Sequence, residues 1–286
     1  MGPNRYGKSG IRLAVVRRDG ATHHFTDLEV DIRLSGDFDA VHTRGDNSTV
    51  LPTDTMRGTC YALAREGIGS VTDYARRLAE RFLDVSPATS QAWVRVTTHP
   101  WQRVTVDGTD HPHTFRPAAG GLAVTTLRLP RDGDAVVTCG IAGARVAKTT
   151  GSAFSGFLRD DLTTQGETRD RIMATTIEAE WGVTGADAEV DAVGSEVPHT
   201  MLAAFAAHDE SESVQHTLHA MGWAVLDRHD SVTWIRFRMP NEHHILSDLS
   251  PYGLDNPGEV FLVADRPYGV IEGAVAREGV TPEVPW

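Results

Sequence analysis

The sequence predicts an α+β fold of two tandem units, each an antiparallel four-stranded sheet backed by two helices. Segments rich in β-branched and apolar residues are separated by short turns, as is typical of antiparallel strands. Two amphipathic segments with capping residues follow the first strand pair, and the same order of elements recurs in the second half. The turn at Pro130–Asp134 separates the halves. We therefore predict a first unit over residues 1–134 and a second over residues 135–286.

The first unit begins with a predicted hairpin. Its strands are Ile11–Arg17 and His24–Leu34, joined by a turn at Arg18-Asp19-Gly20. The segment from Phe38 to Val50 is predicted to remain extended and polar.

Two helices follow in the first unit. Thr53 or Asp54 is predicted to cap a helix that runs to about Glu66. Ser70 is predicted to cap a second helix, with Asp73 at the capping-box position. The later predicted strands are Ala92–Thr98, Arg103–Val106 and Leu122–Leu129.

The second unit repeats this order around a long polar segment. Val136–Thr149 and Arg171–Trp181 are predicted strands that enclose it. One predicted helix follows Pro198–Thr200 and reaches about Ala207, and another runs from about Glu212 to Leu226. The last predicted strands are Thr233–Met239 and Val260–Ala264.

Composition excludes several classes of protein. The chain has 286 residues and a formal net charge of −12, with no long basic run. Nucleic-acid binding needs clustered Lys and Arg, so nucleic acid is not an expected partner. Two cysteines cannot form a disulfide framework, and no stretch approaches a membrane span of about 18 apolar residues. We expect a cytoplasmic protein without membrane contact.

The predicted sheets lack an obvious second cover. Helices account for one face of each sheet, whereas the other face and the sheet edges have no partner in the sequence. We therefore expect an oligomer.

The segment from Val146 to Thr176 is the most informative stretch. It reads strand, long polar excursion, strand, and it carries Phe154 and Arg171. Loops longer than about 12 residues are uncommon in compact chains and are usually functional. An aromatic face and a guanidinium fork suit a flat anionic ligand. The alternative is an ordinary surface loop with a salt-bridged Arg and a core Phe.

No metal or nucleotide motif is evident. His111-Pro112-His113 places alternate histidines on one strand, but the central Pro disturbs the strand and no carboxylate or Cys partner is near. The sequence also contains no P-loop, no GxGxxG after a strand and no GxSxG elbow. We expect no metal.

Eight short stretches stand out by their order and spacing. They are Arg5-Tyr6-Gly7-Lys8, Asp46-Asn47-Ser48, Thr53-Asp54-Thr55, Phe154 with Gly156-Phe157-Leu158-Arg159-Asp160, Thr163-Thr164 with Glu167-Thr168, Asp170-Arg171-Ile172, Ser213-Val214-Gln215, and Pro240-Asn241 with His243. With these stretches the chain resembles the urate oxidase (uricase) family, and the resemblance extends from Arg5 to about Glu278.

The resemblance implies the tunnelling fold (T-fold), in which a homotetramer closes such sheets into a β-barrel with active sites between subunits. It also implies oxidation of urate by O2 to 5-hydroxyisourate and H2O2 in purine degradation, with no metal and no organic cofactor.

The resemblance assigns proton transfer to Lys8, Thr53 and His243. Lys8 would be the general base, acting through Thr53, and His243 would complete the relay. Thr53 and Asp54 would reach a neighbouring subunit's site and help to hold the substrate. A solvated lysine and an ordinary N-cap pair are the alternatives for Lys8 and for Thr53 with Asp54.

The resemblance also assigns the substrate contacts. Phe154 would be the stacking platform under the purine, and Arg171 and Gln215 would clamp the ring in its plane. Val214 would add a backbone N–H, and Asn241 would bind water or O2 above the ring. Each residue also has an ordinary structural alternative. Phe154 would be a core residue and Arg171 part of a strand ion pair. Gln215 would be an exposed residue at a helix start, and Asn241 would lie in a plain loop.

Three positions depart from the family pattern. Pro52 stands where a small residue is usual, Glu242 where Lys is usual, and Ser155 where a larger ring is often found. Pro52 and Glu242 flank proposed site residues, so they put rate and pH optimum in doubt. A T-fold enzyme acting on a pterin-like bicycle, a non-catalytic purine-binding homologue and a purely structural oligomer remain alternatives at this stage.

Overall fold

The computed structural model describes residues 1–282, with the side chain of residue 265 left out. The predicted second unit ends at residue 286, so its last four positions lie outside the described residues. The chain divides into two compact units. Unit 1 comprises Met1–Gly140 and Val183–Ser195, and unit 2 comprises Ile141–Gly182 and the described residues from Glu196 onward. The predicted boundary at residue 134 stays a prediction.

Unit 1 has a four-stranded antiparallel sheet in the order β1-β2-β3-β6. Its strands and helices are β1 (Arg5–Asp19), β2 (Thr22–Gly36), α1 (Asp39–Arg44), α2 (Thr53–Glu66), α3 (Val71–Val85), β3 (Thr89–His99) and β6 (Leu122–Pro130). Between β3 and β6 the chain forms a separate hairpin, β4 (Trp101–Val106) with β5 (Thr109–Pro117).

Unit 2 has the strand order β7-β8-β9-β10. Its elements are β7 (Val136–Lys148), β8 (Met173–Val183), α4 (Asp187–Ala207), α5 (Val214–Arg228), β9 (Val232–Leu246), a short 3-10 turn (Ser250–Tyr252) and β10 (Phe261–Ala276). The division between the units falls within β7, β8 and α4. The predicted α+β class, with two helix-backed four-stranded sheets, is confirmed.

Each sheet buries one face under its helices. In unit 1 the residues at alternate positions of β2, from Leu28 to Leu34, are buried, as are Tyr74, Leu78 and Phe82 of α3. In unit 2 the buried set includes Ile177, Trp181, Phe237, Met221 and Val225. This is the period-2 and period-3.6 pattern from which the elements were predicted.

The opposite face of each sheet is polar. Arg12 pairs with Asp27 across β1 and β2 in unit 1. In unit 2 Arg236 pairs with Glu180, and Arg238 lies 3.4 Å from both Glu178 and Glu272. This face therefore has its own cross-strand ion pairs.

Two predictions in unit 1 were wrong in detail. Phe38–Val50 was expected to be extended, but it contains the helix α1, Asp39–Arg44, which is closed by the left-handed C-cap Gly45. Thr53 or Asp54 was expected to be the N-cap of α2. The N-cap is Pro52, with no side-chain cap bond, and Thr53 is the first helical residue. Ser70 does cap α3, accepting a bond from the Asp73 N–H at 3.0 Å.

Two predictions in unit 2 were also wrong in detail. Pro198 was taken as a helix start, but it lies inside α4, which begins at Asp187. Pro240 was taken as the end of a strand, but β9 continues through it to Leu246, and Pro240 pairs with Val270 of β10.

Candidate functional site

The loop between β7 and β8 is held in one shape by backbone hydrogen bonds. Phe154 and Thr168 exchange N–H···O bonds of 2.8 and 3.0 Å. The Arg171 N–H donates to the Ser152 carbonyl at 2.8 Å, and the Ala153 N–H donates to the Ser211 carbonyl at 2.7 Å. A ring and a guanidinium far apart in the loop are thereby fixed to one frame.

Ser211 joins this loop to the start of α5. Its N–H donates to the Gly151 carbonyl at 3.1 Å, and its Oγ donates to the Ser213 carbonyl at 2.9 Å. Ser213 caps α5, with its Oγ accepting from the His216 N–H at 3.1 Å. The first helical residues, Val214 and Gln215, therefore lie beside the loop.

The third side of the site comes from β9 and β10. Asn241 and His243 were predicted to follow a strand, but they lie within β9 at alternate positions and therefore share a face. Met239, on that same face, is buried and pairs with Ile271 of β10. A register shift interrupts the β9–β10 ladder between the pairs of Asn241 and His243.

These elements enclose a pocket of about 210 Å³ within unit 2. That volume lies below the roughly 300–1,000 Å³ of drug-sized sites, so the pocket suits a small ligand. Its lining residues are Phe154, Gln165, Arg171, Val214, Gln215, Asn241, His243 and Ile271. Six sequence-predicted site residues therefore converge there.

Arg171 is the site's electrostatic centre. Its side chain is half-buried, and its Nε is buried with no hydrogen-bond partner. Within residues 1–282 no carboxylate pairs with this guanidinium. Burial lowers the pKa of Arg171 from its ordinary value. A partly desolvated cation without a counter-ion favours an anionic ligand.

Phe154 stands beside this cation within a short stack. Its ring lies 5.4 Å from the Arg171 guanidinium carbon and 4.8 Å from the Phe157 ring, at an interplanar angle of 13°. The Arg159 guanidinium lies 5.3 Å from the Phe157 ring. Phe157 therefore supports the Phe154 ring, which faces the pocket as an aromatic surface.

The start of α5 offers hydrogen-bond donors to the pocket. The first N–H groups of a helix have no acceptor within the helix. For Val214 and Gln215, the part of the chain that the structure describes supplies no acceptor. Both residues line the pocket, and a helix N-terminus favours negative charge.

Lys8, Thr53 and Asp54 lie in unit 1 and are not among the residues that line this pocket. Tyr6 connects β1, which carries Lys8, to the segment before α2, which carries Thr53 and Asp54. Its hydroxyl accepts a hydrogen bond from the Leu51 N–H at 2.9 Å. Lys8 is two positions beyond Tyr6 on β1 and so shares its face. Asp54 pairs with Arg57 at 2.7 Å and is exposed.

The backbone around Lys8 is constrained. A Cβ on Gly7 would lie 1.8 Å from the Ile32 carbonyl oxygen, so only glycine fits there. After Lys8 a β-bulge shifts the register, and Gly10 adopts a positive φ of 65°.

The departures noted in the sequence have local explanations. Glu242 faces away from Asn241 and His243, accepts bonds from Arg145 (2.8 Å) and Thr176 (2.5 Å), and therefore does not line the pocket. Pro52 fits its position, since its carbonyl accepts the first bond of α2 from the Met56 N–H at 3.3 Å. Nothing in the structure explains Ser155.

Sequence reasoning missed two lining residues, Gln165 and Ile271. A longer last strand would have placed Ile271, which lies beyond the predicted end at Ala264. Gln165 sits in an irregular loop, and no periodicity could have indicated its position.

A larger depression of about 1,140 Å³ lies in unit 1, beside β1 and the end of α2. Its lining includes Arg17, Arg18 and Arg65, which are exposed. None of its lining residues within the described part of the chain has a buried, unpaired polar atom such as the Arg171 Nε. We therefore take the smaller pocket as the functional site.

Other features bear on the class of protein. Among residues 1–282, no group of three His, Cys, Asp or Glu side chains could hold a metal ion. No helix in the described part of the chain is long and apolar enough to span a membrane. Both cysteines, Cys60 and Cys139, are buried and form no disulfide.

A family model described as Uricase matches residues 4–120 and 137–272. The chain is 41% identical to the uricase of Arthrobacter globiformis over 286 residues, which covers 100% of this chain and 92% of the relative. It is 34% identical to the uricase of Danio rerio, covering 96% of this chain and 93% of that protein.

Solved structures give the same picture. The crystal structure of the uricase from Arthrobacter globiformis superposes with a TM-score of 0.93 at 39% identity, covering 100% of this chain and 97% of that one. A uricase from Bacillus fastidious superposes with a TM-score of 0.83 at 20% identity, covering 96% of this chain and 93% of that one, and this shows the fold alone.

Proposed function

Because this chain belongs to the uricase family, we propose that it is a urate oxidase, which oxidises urate with O2 and water to 5-hydroxyisourate and H2O2. The observation that carries the proposal is the unpaired Arg171 guanidinium beside the Phe154 ring, at the open start of α5. A flat purine anion needs these three features together: a stacking face, a cation in the ring plane and N–H donors.

Urate binds against the Phe154 ring in this proposal. The Arg171 fork donates to the anionic edge of the purine, and the Gln215 amide pairs with a neighbouring donor and acceptor of the ring. The Val214 N–H supplies a further donor. The half-buried setting of Arg171 strengthens these bonds, because water competes less for a partly desolvated cation.

Lys8, Thr53 and His243 move protons, and Asn241 holds O2 or water above the ring. Removal of a proton makes the urate anion electron-rich, so that two electrons pass from the purine to O2 and the O2 leaves as H2O2. Water then adds its oxygen at C5 of the oxidised ring. The substrate is itself the reductant, so the residues contribute position and proton transfer, and we propose that no metal or organic cofactor takes part.

We propose a homotetramer in which Thr53, Asp54 and Lys8 of a neighbouring subunit complete each site. The start of α2 supports this, because Asp54 is exposed and Thr53 is only partly covered. The edge strands β1 and β10 also support it, since each leaves one row of backbone groups for pairing with another chain. In that assembly the sheets would close into a barrel. We further propose a cytoplasmic location, which fits two buried thiols.

An aerobic assay tests the activity. Purified protein mixed with urate in air should abolish the ultraviolet absorption band of urate and release one H2O2 per urate, at the same rate with or without a strong metal chelator. An unchanged band after hours with micromolar protein would reject the proposal. Loss of activity with the chelator would reject the cofactor-free mechanism alone.

A further inference from the structure

We propose that Gln165 is a specificity-determining residue of the pocket, whose carboxamide binds the edge of the purine; this rests on the proposed function of the same site. Gln165 lines the pocket with the predicted substrate contacts. The other polar lining residues belong to the start of α5, to β9 or to the Phe154–Arg171 frame; among residues 1–282, Gln165 is the one polar lining residue outside these three parts.

Gln165 lies between two hydrogen-bonded parts of the loop. Before it, Asp160 and Thr163 form a closed turn, in which the Asp160 N–H donates to Thr163 Oγ1 at 2.9 Å and the Leu162 N–H donates to Asp160 Oδ1 at 3.1 Å. After it, Thr168 pairs with Phe154. Hydrogen bonds therefore order the chain on both sides of Gln165, and on its C-terminal side they join it to Phe154.

The amide of Gln165 retains bonding capacity for a ligand. Its Nε2 donates to the carbonyl of the adjacent Gly166 at 3.1 Å. In the described part of the chain its Oε1 has no partner, and the residue is exposed. A carboxamide has two donor hydrogens and two acceptor lone pairs, so the side chain can bond a ligand without breaking a buried bond.

The chemistry of the ligand matches this capacity. The edge of an oxidised purine is a series of lactam units, each with a neighbouring N–H and C=O. A carboxamide pairs with such a unit through one donated and one accepted hydrogen bond. Gln165 and Gln215 then bind the edge of a ring whose charge is met by Arg171, while Asn241 lies above the ring. Gln165 would therefore favour purines with an intact lactam edge.

The test compares Gln165→Leu with wild type, because Leu keeps the size of the side chain without its amide. Thr164→Ala is the matched control, since Thr164 is an exposed neighbour that does not line the pocket. Dissociation constants for urate and for xanthine, which lacks the C8 oxygen, are measured without O2. KM and kcat for urate are measured in air.

The proposal predicts that Gln165→Leu raises Kd and KM for urate about 2- to 10-fold, as for the loss of neutral hydrogen bonds. The kcat should remain within about twofold, because the bond is present in both ground and transition states. A larger change in Kd for urate than for xanthine assigns the bond to the C8 side, and equal changes assign it to the pyrimidine side. Gln165→Glu, which opposes a purine anion, should weaken urate binding further.

Unchanged Kd for both purines in Gln165→Leu would overturn the proposal, as would a fall in kcat with KM unchanged or an equal loss in Thr164→Ala. If wild type binds purines but does not consume urate, the proposed activity fails, whereas the Kd comparison still decides the role of Gln165. If wild type binds neither purine, both proposals fail.

Discussion

The helices α3 and α5 begin in the same way but differ in what meets their first turn. Each has a serine N-cap whose Oγ accepts from the N–H three positions later, at 3.0 Å for Ser70 and 3.1 Å for Ser213. At α3, Asp191 of α4 accepts from the Thr72 N–H at 3.3 and 3.4 Å and from the Thr72 hydroxyl. At α5, no carboxylate within residues 1–282 takes that place.

This difference distinguishes a helix start that only stabilises its unit from one that can bind a ligand. A helix N-terminus attracts an anion wherever it occurs, so a folded chain usually supplies one of its own. Unit 1 does so with Asp191. Unit 2 leaves the position open and places the unpaired Arg171 beside it. Of these two termini, the open one at α5 can receive a ligand.

The largest effect should follow from Arg171→Gln, which removes the cation at the open terminus. We expect kcat/KM for urate to fall about 100-fold or more, because each charge-assisted hydrogen bond contributes roughly 1.5–3 kcal/mol. Steady-state kinetics measure it. Arg169→Gln is the control, since Arg169 is exposed on the same loop and does not line the pocket. Equal losses in both variants would contradict the assignment.

Asp191→Asn tests the filled terminus. Loss of the carboxylate charge should destabilise unit 1 by about 1 kcal/mol, measured as a lower urea midpoint, because the Thr72 N–H and the α3 dipole lose an anion. KM for urate should not change. Asp84→Asn is the control, because Asp84 makes an exposed 3.5 Å ion pair with Arg81. If Asp191→Asn raised KM without lowering stability, the contrast between the filled terminus of α3 and the open terminus of α5 would be wrong.

The pH dependence of stability should reflect the protonation of His208. Its ring centroid lies 4.4 Å from that of His216, in the first turn of α5. Burial, His216 and Lys148 lower the pKa of His208 from its ordinary value. The unfolded chain therefore binds a proton that the folded chain resists, so stability is lost as pH falls through about 6.5. In His208→Gln the urea midpoint should vary less between pH 7.5 and 5. His219→Gln, on the exposed side of α5, is the control, and an unchanged profile in His208→Gln would refute this.

Glu242→Gln should have only a small effect on activity. Glu242 is adjacent to two site residues in sequence, but its carboxylate pairs with Arg145 at 2.7 Å on the other face of β9. We expect kcat and KM within about twofold of wild type and a stability loss of about 0.5–1 kcal/mol. A tenfold change in kcat would show that this face does influence the site.

The sequence predicted the parts of this molecule that follow a local period. The amphipathic face of α3, its Ser70 cap and the buried alternation of β2 are visible in the residues themselves. The helix through Pro198 and the strand through Pro240 were not predictable in the same way. Proline ordinarily ends such elements, and here packing and pairing with neighbouring elements override that preference.

The residues of the candidate site also fall into those that the sequence could identify and those that it could not. The resemblance identified Phe154, Arg171, Gln215 and Asn241, and the structure brings their side chains to one pocket. Gln165 had no signal, because its position depends on hydrogen bonds at either end of an irregular loop. That the Arg171 Nε has no partner among residues 1–282 could not be known either, since pairing is decided by tertiary contacts.

A crystal structure of the protein grown with urate in the absence of O2 tests the central claim most directly. We predict one urate per chain, stacked on the Phe154 ring, with the Arg171 fork and the Gln215 amide on its edge at the start of α5. Urate bound elsewhere, with the Arg171 guanidinium paired to a carboxylate of the protein, would contradict the claim that the open terminus of unit 2 is the substrate site.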